Sequence, residues 1–199
     1  MHGLILKTFQ VFVQDTYGTE AWTSVAQAAD LEFAEFEAML SYAPDVYDTL
    51  IAATEQVMHK PREVFLEDVG TYLVSHPNSE GLRRLLRFGG VDYIEFLHSL
   101  DDLPDRARLV VADLPLPDLQ LHDDGKNQFR LVVGAGLAGF GYVMVGVLRA
   151  LADDYGALVM LDTAPPRDSG HQVVDISLFE TAFSEGREFA LASGGEDSR

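Results

Sequence analysis

Residues 131–148 run eighteen positions without a charge, between Arg130 and Arg149, and few chains can carry such a run without a specific place for it. Its length meets the bare requirement of about 18 residues for a membrane-crossing helix. Five glycines interrupt it, however, and Asp153 and Asp154 follow without a basic flank or an aromatic belt. A strand over 128–133 leading into a helix buried on most of its surface, over about 139–155, explains the same run, and no membrane span is expected.

The residues on either side divide into two textures. Over 4–103 the apolar positions recur at helical spacing, with Tyr47, Leu50, Ile51 and Met58 after the Pro44-Asp45 start signal and Val64, Phe65, Val69, Tyr72 and Leu73 after Pro61. Breaks at Gly18, Pro44, Pro61, Pro77 and Gly89-Gly90 divide the stretch into six short helices. After Pro104 come strand patterns at 119–122 and 128–133 around a polar turn at 123–127, and two more at 158–162 and 172–178. Helices first and strands afterwards predict an α+β domain: a helical N-terminal subdomain, then a small antiparallel sheet with one long helix packed on it. The reading is one domain over 1–185, divided into 1–60 and 61–185, with a flexible tail over 186–199 that ends in Gly194-Gly195-Glu196-Asp197.

Composition excludes several chemistries. There is no cysteine, so disulfides and thiolate metal sites are out. With 32 acidic and 14 basic residues the formal charge is −18, which repels phosphate backbones and anionic membranes; nucleic acid is not an expected partner. No secretory signal pattern opens the chain, and a cytoplasmic location is expected. Catalysis is not expected either. No Gly-x-Ser-x-Gly, Ser-His-Asp arrangement, phosphate loop or metal-ligand cluster is present, and acidic pairs such as Asp101-Asp102 read as solvated helix ends.

One motif competes for function. Gly134-x-Gly136-x-x-Gly139 matches the dinucleotide fingerprint between a strand and a helix, where glycines let a pyrophosphate approach a helix N-terminus. A doubly wound sheet needs several more parallel strands than the residues after Asp162 can supply, so an NAD- or FAD-binding domain is kept only as the alternative.

The opening Met1-His2-Gly3-Leu4, then Tyr17-Gly18 and Trp22, the block around Tyr42, Asp45, Tyr47 and Leu50, residues 64–73, and Phe96-Leu97-His98-Ser99-Leu100-Asp101-Asp102-Leu103 together resemble the haem-nitric oxide/oxygen binding (H-NOX) domain family in order and spacing. The resemblance covers residues 1 to about 180. It implies a non-enzymatic gas-sensing module, with haem as the family cofactor and a histidine kinase or a cyclic-nucleotide enzyme as the partner that reads it.

The resemblance also implies where haem would be held, and there this chain departs from the pattern. The family's iron-ligating histidine follows the Leu-Asp-x-Leu pattern, a place taken here by Pro104. The Tyr-x-Ser-x-Arg motif that binds the propionates corresponds to Val133, Ala135 and Leu137, and the proline that presses on the haem to Pro117. Helix geometry supports the placement: counted from Tyr93, position 104 falls at about 20° on the face of Phe96, Leu97, Leu100 and Leu103, while His98 falls at about 140° on the other side. Proline offers iron no donor and disfavours helical backbone at Leu103 before it. Haem is therefore expected to be absent or not axially ligated by the protein. The expected pocket is apolar, with Ile5, Leu100, Val133, Leu137 and Val143 in its wall, and either holds another ligand or has collapsed into a protein-docking module. The family's distal hydrogen-bonding position falls at Val143, with Tyr142 next to it.

Overall fold

The structure, a computed structural model, describes residues 1–32, 35–166 and 169–180. Its helices are α1 (Gly3–Tyr17), α2 (Thr19–Ala28), α3 (Val46–Met58), α4 (Arg62–Ser75), α5 (Glu80–Arg87), α6 (Tyr93–His98), α7 (Leu103–Val110) and α8 (Phe140–Tyr155). Its strands are β1 (Leu119–Gly125), β2 (Gln128–Val133), β3 (Leu158–Thr163) and β4 (Gln172–Glu180). Six α-helices precede Leu103 and the strands follow it, as the change of texture at Pro104 predicts.

Local chemistry sets many of the boundaries. The His2 imidazole accepts from the Leu4 N–H to open α1, and the Asp92 carboxylate accepts from the Glu95 N–H to open α6. The β1–β2 turn is tighter than the expected five-residue loop, because Lys126 and Asn127 both take positive φ (52° and 61°), the geometry that matches the twist of a hairpin. Helix α8 stops at Gly156, a left-handed residue whose following N–H, on Ala157, returns to the Ala152 carbonyl.

The sheet order is β1-β2-β4-β3 with every neighbouring pair antiparallel. This is not the parallel, doubly wound sheet that a dinucleotide fold requires. Helix α8 connects β2 to β3 and covers the sheet, and almost all of its residues from Gly141 to Ala152 are buried, which is why no charge is found there until Arg149. Among the described residues no helix is long and apolar enough to cross a membrane.

Two cores meet along α8. One lies between the sheet, α6 and the inner side of α8, around Phe96, Leu131, Leu148 and Ile176. The other joins α1, α2, α3 and α4 around Phe9, Phe12, Leu50 and Phe65, and also takes in Tyr142 and Val143 from α8. Helix α4 therefore packs with the helices before residue 60. The expected domain end at 185 and the tail over 186–199 lie outside the described residues.

Helices α4 and α8 touch backbone to backbone. A Cβ on Gly70 would lie 2.0 Å from the Val143 carbonyl oxygen, and one on Gly146 would lie 2.0 Å from that of Glu67. Only glycine permits this approach at both crossing points, and an Arg149–Glu67 ion pair closes the same interface.

Candidate functional site

Where α1, α4, α5, α7 and α8 meet, an apolar cavity of about 230 Å³ remains. Leu66 and Leu73 come from α4, Leu82 and Leu85 from α5, and Val143 and Val147 from α8. The spacing of each pair or of its helical neighbours brings both residues onto one helix face. Leu114 and Leu116 close one side from the segment between α7 and β1.

Of the residues picked from the sequence, Ile5, Leu137 and Val143 are in the wall. Leu100 is buried in the sheet-side core instead, and Val133 joins it there, because alternation along β2 turns Phe129, Leu131 and Val133 to that core. Ala135 is exposed in the loop before α8. Pro117 is buried just before β1, while its neighbour Leu116 reaches the cavity. Pro104 is buried but not in the wall; Leu103 and Ala107, one turn apart, hold that side of the cavity.

The backbone at Leu103 differs from expectation. It is helical (φ −59°, ψ −44°) although a proline follows. The helix that begins at Tyr93 ends at His98, a 3-10 turn over Leu100–Asp102 follows, and α7 restarts with Pro104 in its first turn, where the missing N–H has no helical acceptor to lose. Arg106 bridges the break by donating to the Ser99 carbonyl at 2.9 Å.

No histidine is in the cavity wall among the described residues. His98 is half exposed beside Asp123, and His76 stacks on Tyr72 with a ring-centroid distance of 4.5 Å. Among the described residues no charged side chain lines the cavity either. Its polar atoms belong to Thr8, whose hydroxyl donates to the Leu4 carbonyl, and Tyr47, whose hydroxyl donates to the Ala138 carbonyl at 3.1 Å. Burial pushes the Tyr47 phenol well above its ordinary pKa, so it stays protonated. Met144 adds a thioether.

A family model described as haem-NO-binding matches residues 2–162. This chain belongs to the haem-NO-binding family. Curated relatives include soluble guanylate cyclase 89Db of Drosophila melanogaster, 21% identical over 160 residues, and soluble guanylate cyclase gcy-31 of Caenorhabditis elegans, 21% identical over 154 residues. The matches take in 80% and 77% of this chain but 24% and 22% of those proteins, so the chain spans about a quarter of their length. The fold is that of solved H-NOX proteins. The Fe(II) unliganded H-NOX protein from K. algicida superposes with a TM-score of 0.78 at 16% identity, over 93% of this chain and 100% of that one. The H-NOX protein from S. oneidensis in the Fe(II)NO ligation state gives 0.73 at 15% identity, over 90% and 100%.

In this family member a second, polar pocket of about 120 Å³ adjoins the cavity, and Tyr47 and Leu66 are walls of both. Asp48, Arg62, Glu63 and Tyr142 line it together with Ile51, Ala138-Gly139 and Pro165-Pro166. Val143 thus faces the apolar cavity and Tyr142 the polar pocket, since neighbouring residues on a helix point about 100° apart. Sequence reasoning did not foresee this pocket, because its residues come from α3, α4, α8 and two loops far apart in the chain.

Proposed function

We propose that this chain is a sensory module of the haem-NO-binding family that works without a protein-ligated haem, and that its cavity takes a small apolar ligand instead. The observation that carries this reading is the cavity wall. It holds no histidine and no charged side chain among the described residues, and Leu137, at the family's arginine position, is part of it. Two propionates would enter that wall unpaired, at a cost of several kcal/mol each. Met144 is a weak candidate for iron, and Tyr47 is held neutral by burial and by its bond to Ala138.

Size supports the same reading. A cavity of about 150 Å³ accommodates benzene, while drug-sized ligands take roughly 300 Å³ or more. At about 230 Å³ this cavity suits an apolar body of roughly nine carbons, scaled from benzene. The partner that reads the module is then a cyclic-nucleotide enzyme, in line with relatives named as guanylate cyclases.

The test is a haem titration followed by gel filtration and visible spectroscopy. The unmodified protein should retain no sharp Soret band, and Pro104→His alone should not restore tight binding, because position 104 lies outside the cavity wall and the propionates stay unpaired. A Soret band in the unmodified protein that survives filtration and is lost on replacing one histidine or Met144 would refute the proposal.

A further inference from the structure

Helix α5 rests on the cavity itself. Its apolar side chains are Leu82, Leu85 and Leu86, and all three are in the wall. Leu82 and Leu85 stay half-buried, and Leu86 alone is fully buried in this helix. Other wall helices sit on filled core, α1 through Leu6, Phe12 and Val13, and α4 and α8 through their glycine crossings. An apolar side chain that faces a void forfeits dispersion on that side, so α5 is held by less packing than these neighbours.

What fastens α5 instead is polar, and it comes from one place, the last turn of α8. Arg83 grips the Asp154 carboxylate with two hydrogen bonds, from Nε at 2.7 Å and from Nη2 at 2.5 Å. Arg87 Nη1 donates to the Asp154 carbonyl at 2.8 Å, and its guanidinium lies 4.1 Å from the centre of the Tyr155 ring. The Tyr155 hydroxyl donates to the Gly90 carbonyl at 2.9 Å, just past the end of α5. Two cations at the C-terminus of α8 also meet the negative end of its dipole. Arg83 and Asp154 both keep some exposure to solvent, so water replaces their bonds when they part.

We infer that α5 is the lid of the cavity and that Arg83, Arg87, Asp154 and Tyr155 are its latch. The inference rests on the cavity reading above. Raising α5 uncovers three leucines that already border a void and breaks bonds that water replaces, whereas parting α4 from α8 would undo backbone packing. Helix α8 carries both halves of the device: Val143, Met144 and Val147 are wall, and two turns further on Asp154 and Tyr155 hold the lid. A ligand enters and leaves when the latch opens, and is sealed in when it closes.

The probe is 1-ethyl-4-fluorobenzene, an apolar body of about the size derived above, with its affinity for the full chain measured by calorimetry and its exchange rates by fluorine NMR. It should bind one to one. Asp154→Ala and Arg83→Gln should each speed association and dissociation by about fivefold, the rate equivalent of a surface ion pair, and leave Kd within about twofold, because the latch is made alike over an empty and a filled cavity. Added salt should speed exchange in the unmodified protein and do little in either variant. The chain has no cysteine, so Arg83→Cys with Asp154→Cys gives a unique pair for a short bismaleimide bridge. That bridge should slow both rates by at least about tenfold relative to the unbridged double variant. If the probe binds and either the latch variants or the bridge leave its rates unchanged, the lid is overturned while the cavity reading stands. If the probe does not bind, both fail.

Discussion

Replacing Gly146 with alanine tests the fold at its tightest point. An alanine Cβ there would sit 2.0 Å from the Glu67 carbonyl oxygen and 2.7 Å from the Thr71 nitrogen. Both are backbone atoms of α4, so no rotamer change relieves the clash. Restoring an ordinary contact of 3.4 Å requires α4 and α8 to part by about 1.4 Å. Overpacking of this kind costs roughly 1–3 kcal/mol or more, and a gap of 0.5–1 Å elsewhere along the interface forfeits about a quarter to a half of each dispersion contact. Alanine's higher helix propensity returns roughly 0.5–1 kcal/mol. The net expectation is a loss of about 2–3 kcal/mol, or roughly 4–12 °C in Tm for a chain of this size. The assay is urea denaturation followed by circular dichroism and by fluorescence of the single tryptophan, Trp22, which is buried in the other core. Gly81→Ala is the control. That glycine is helical too, with nothing within 4 Å of its Cβ position, so the same change should stabilise by about 0.5–1 kcal/mol. If Gly146→Ala is as stable as Gly81→Ala, the two helices are not in backbone contact and the reasoning fails.

Other perturbations follow from the same geometry. Leu131→Ala, at a fully buried strand position, should cost about 2–5 kcal/mol by denaturant titration, and Leu137→Ala less, because Leu137 already borders a void. Asp154 accepts from Arg83 Nε at 2.7 Å and from its Nη2 at 2.5 Å, tying α5 to the end of α8; Asp154→Ala should lose up to about 1 kcal/mol, shrinking as salt rises, and a salt-independent loss would contradict the ion pair. The Tyr72 hydroxyl donates to Asp15 at 2.6 Å, and burial together with that carboxylate lifts its pKa to about 12. A raised acid pKa contributes stability that is intact below the unfolded value of about 10 and lost as pH rises through 12, so Tyr72→Phe should flatten the alkaline limb of a stability profile. Asp15 is shifted the other way, held below the usual carboxylate range by the same hydrogen bond, so its contribution is present above pH 4 and fades in acid. Asp15→Asn should therefore flatten the acid limb, and an unchanged limb would place the sensitivity elsewhere.

The kinds of element and their order were legible in the residues alone, because helical and strand periodicities and the residues that end them are local properties. Tyr47, Leu50 and Ile51 mark α3, and the alternation of Phe129, Leu131 and Val133 marks β2, whatever packs on them. The family resemblance also directed attention to Pro104, Val133, Ala135 and Leu137 as the positions expected to hold haem. It could not say which of these positions reach one cavity. Val133 and Leu137 are four residues apart, but the first ends a strand and the second lies in the loop after it, so one joins the sheet core and the other the cavity wall. Leu82, Leu85, Leu114 and Leu116 read as ordinary apolar residues and became wall only through the placement of α5 and of the segment before β1. The polar pocket was the least legible, because Asp48, Glu63 and Tyr142 belong to α3, α4 and α8, and only the glycine-to-backbone approach of α4 and α8 brings the last two together. Periodicity fixes which side of an element is apolar; which sides then face one another depends on long-range packing, and no local pattern encodes it.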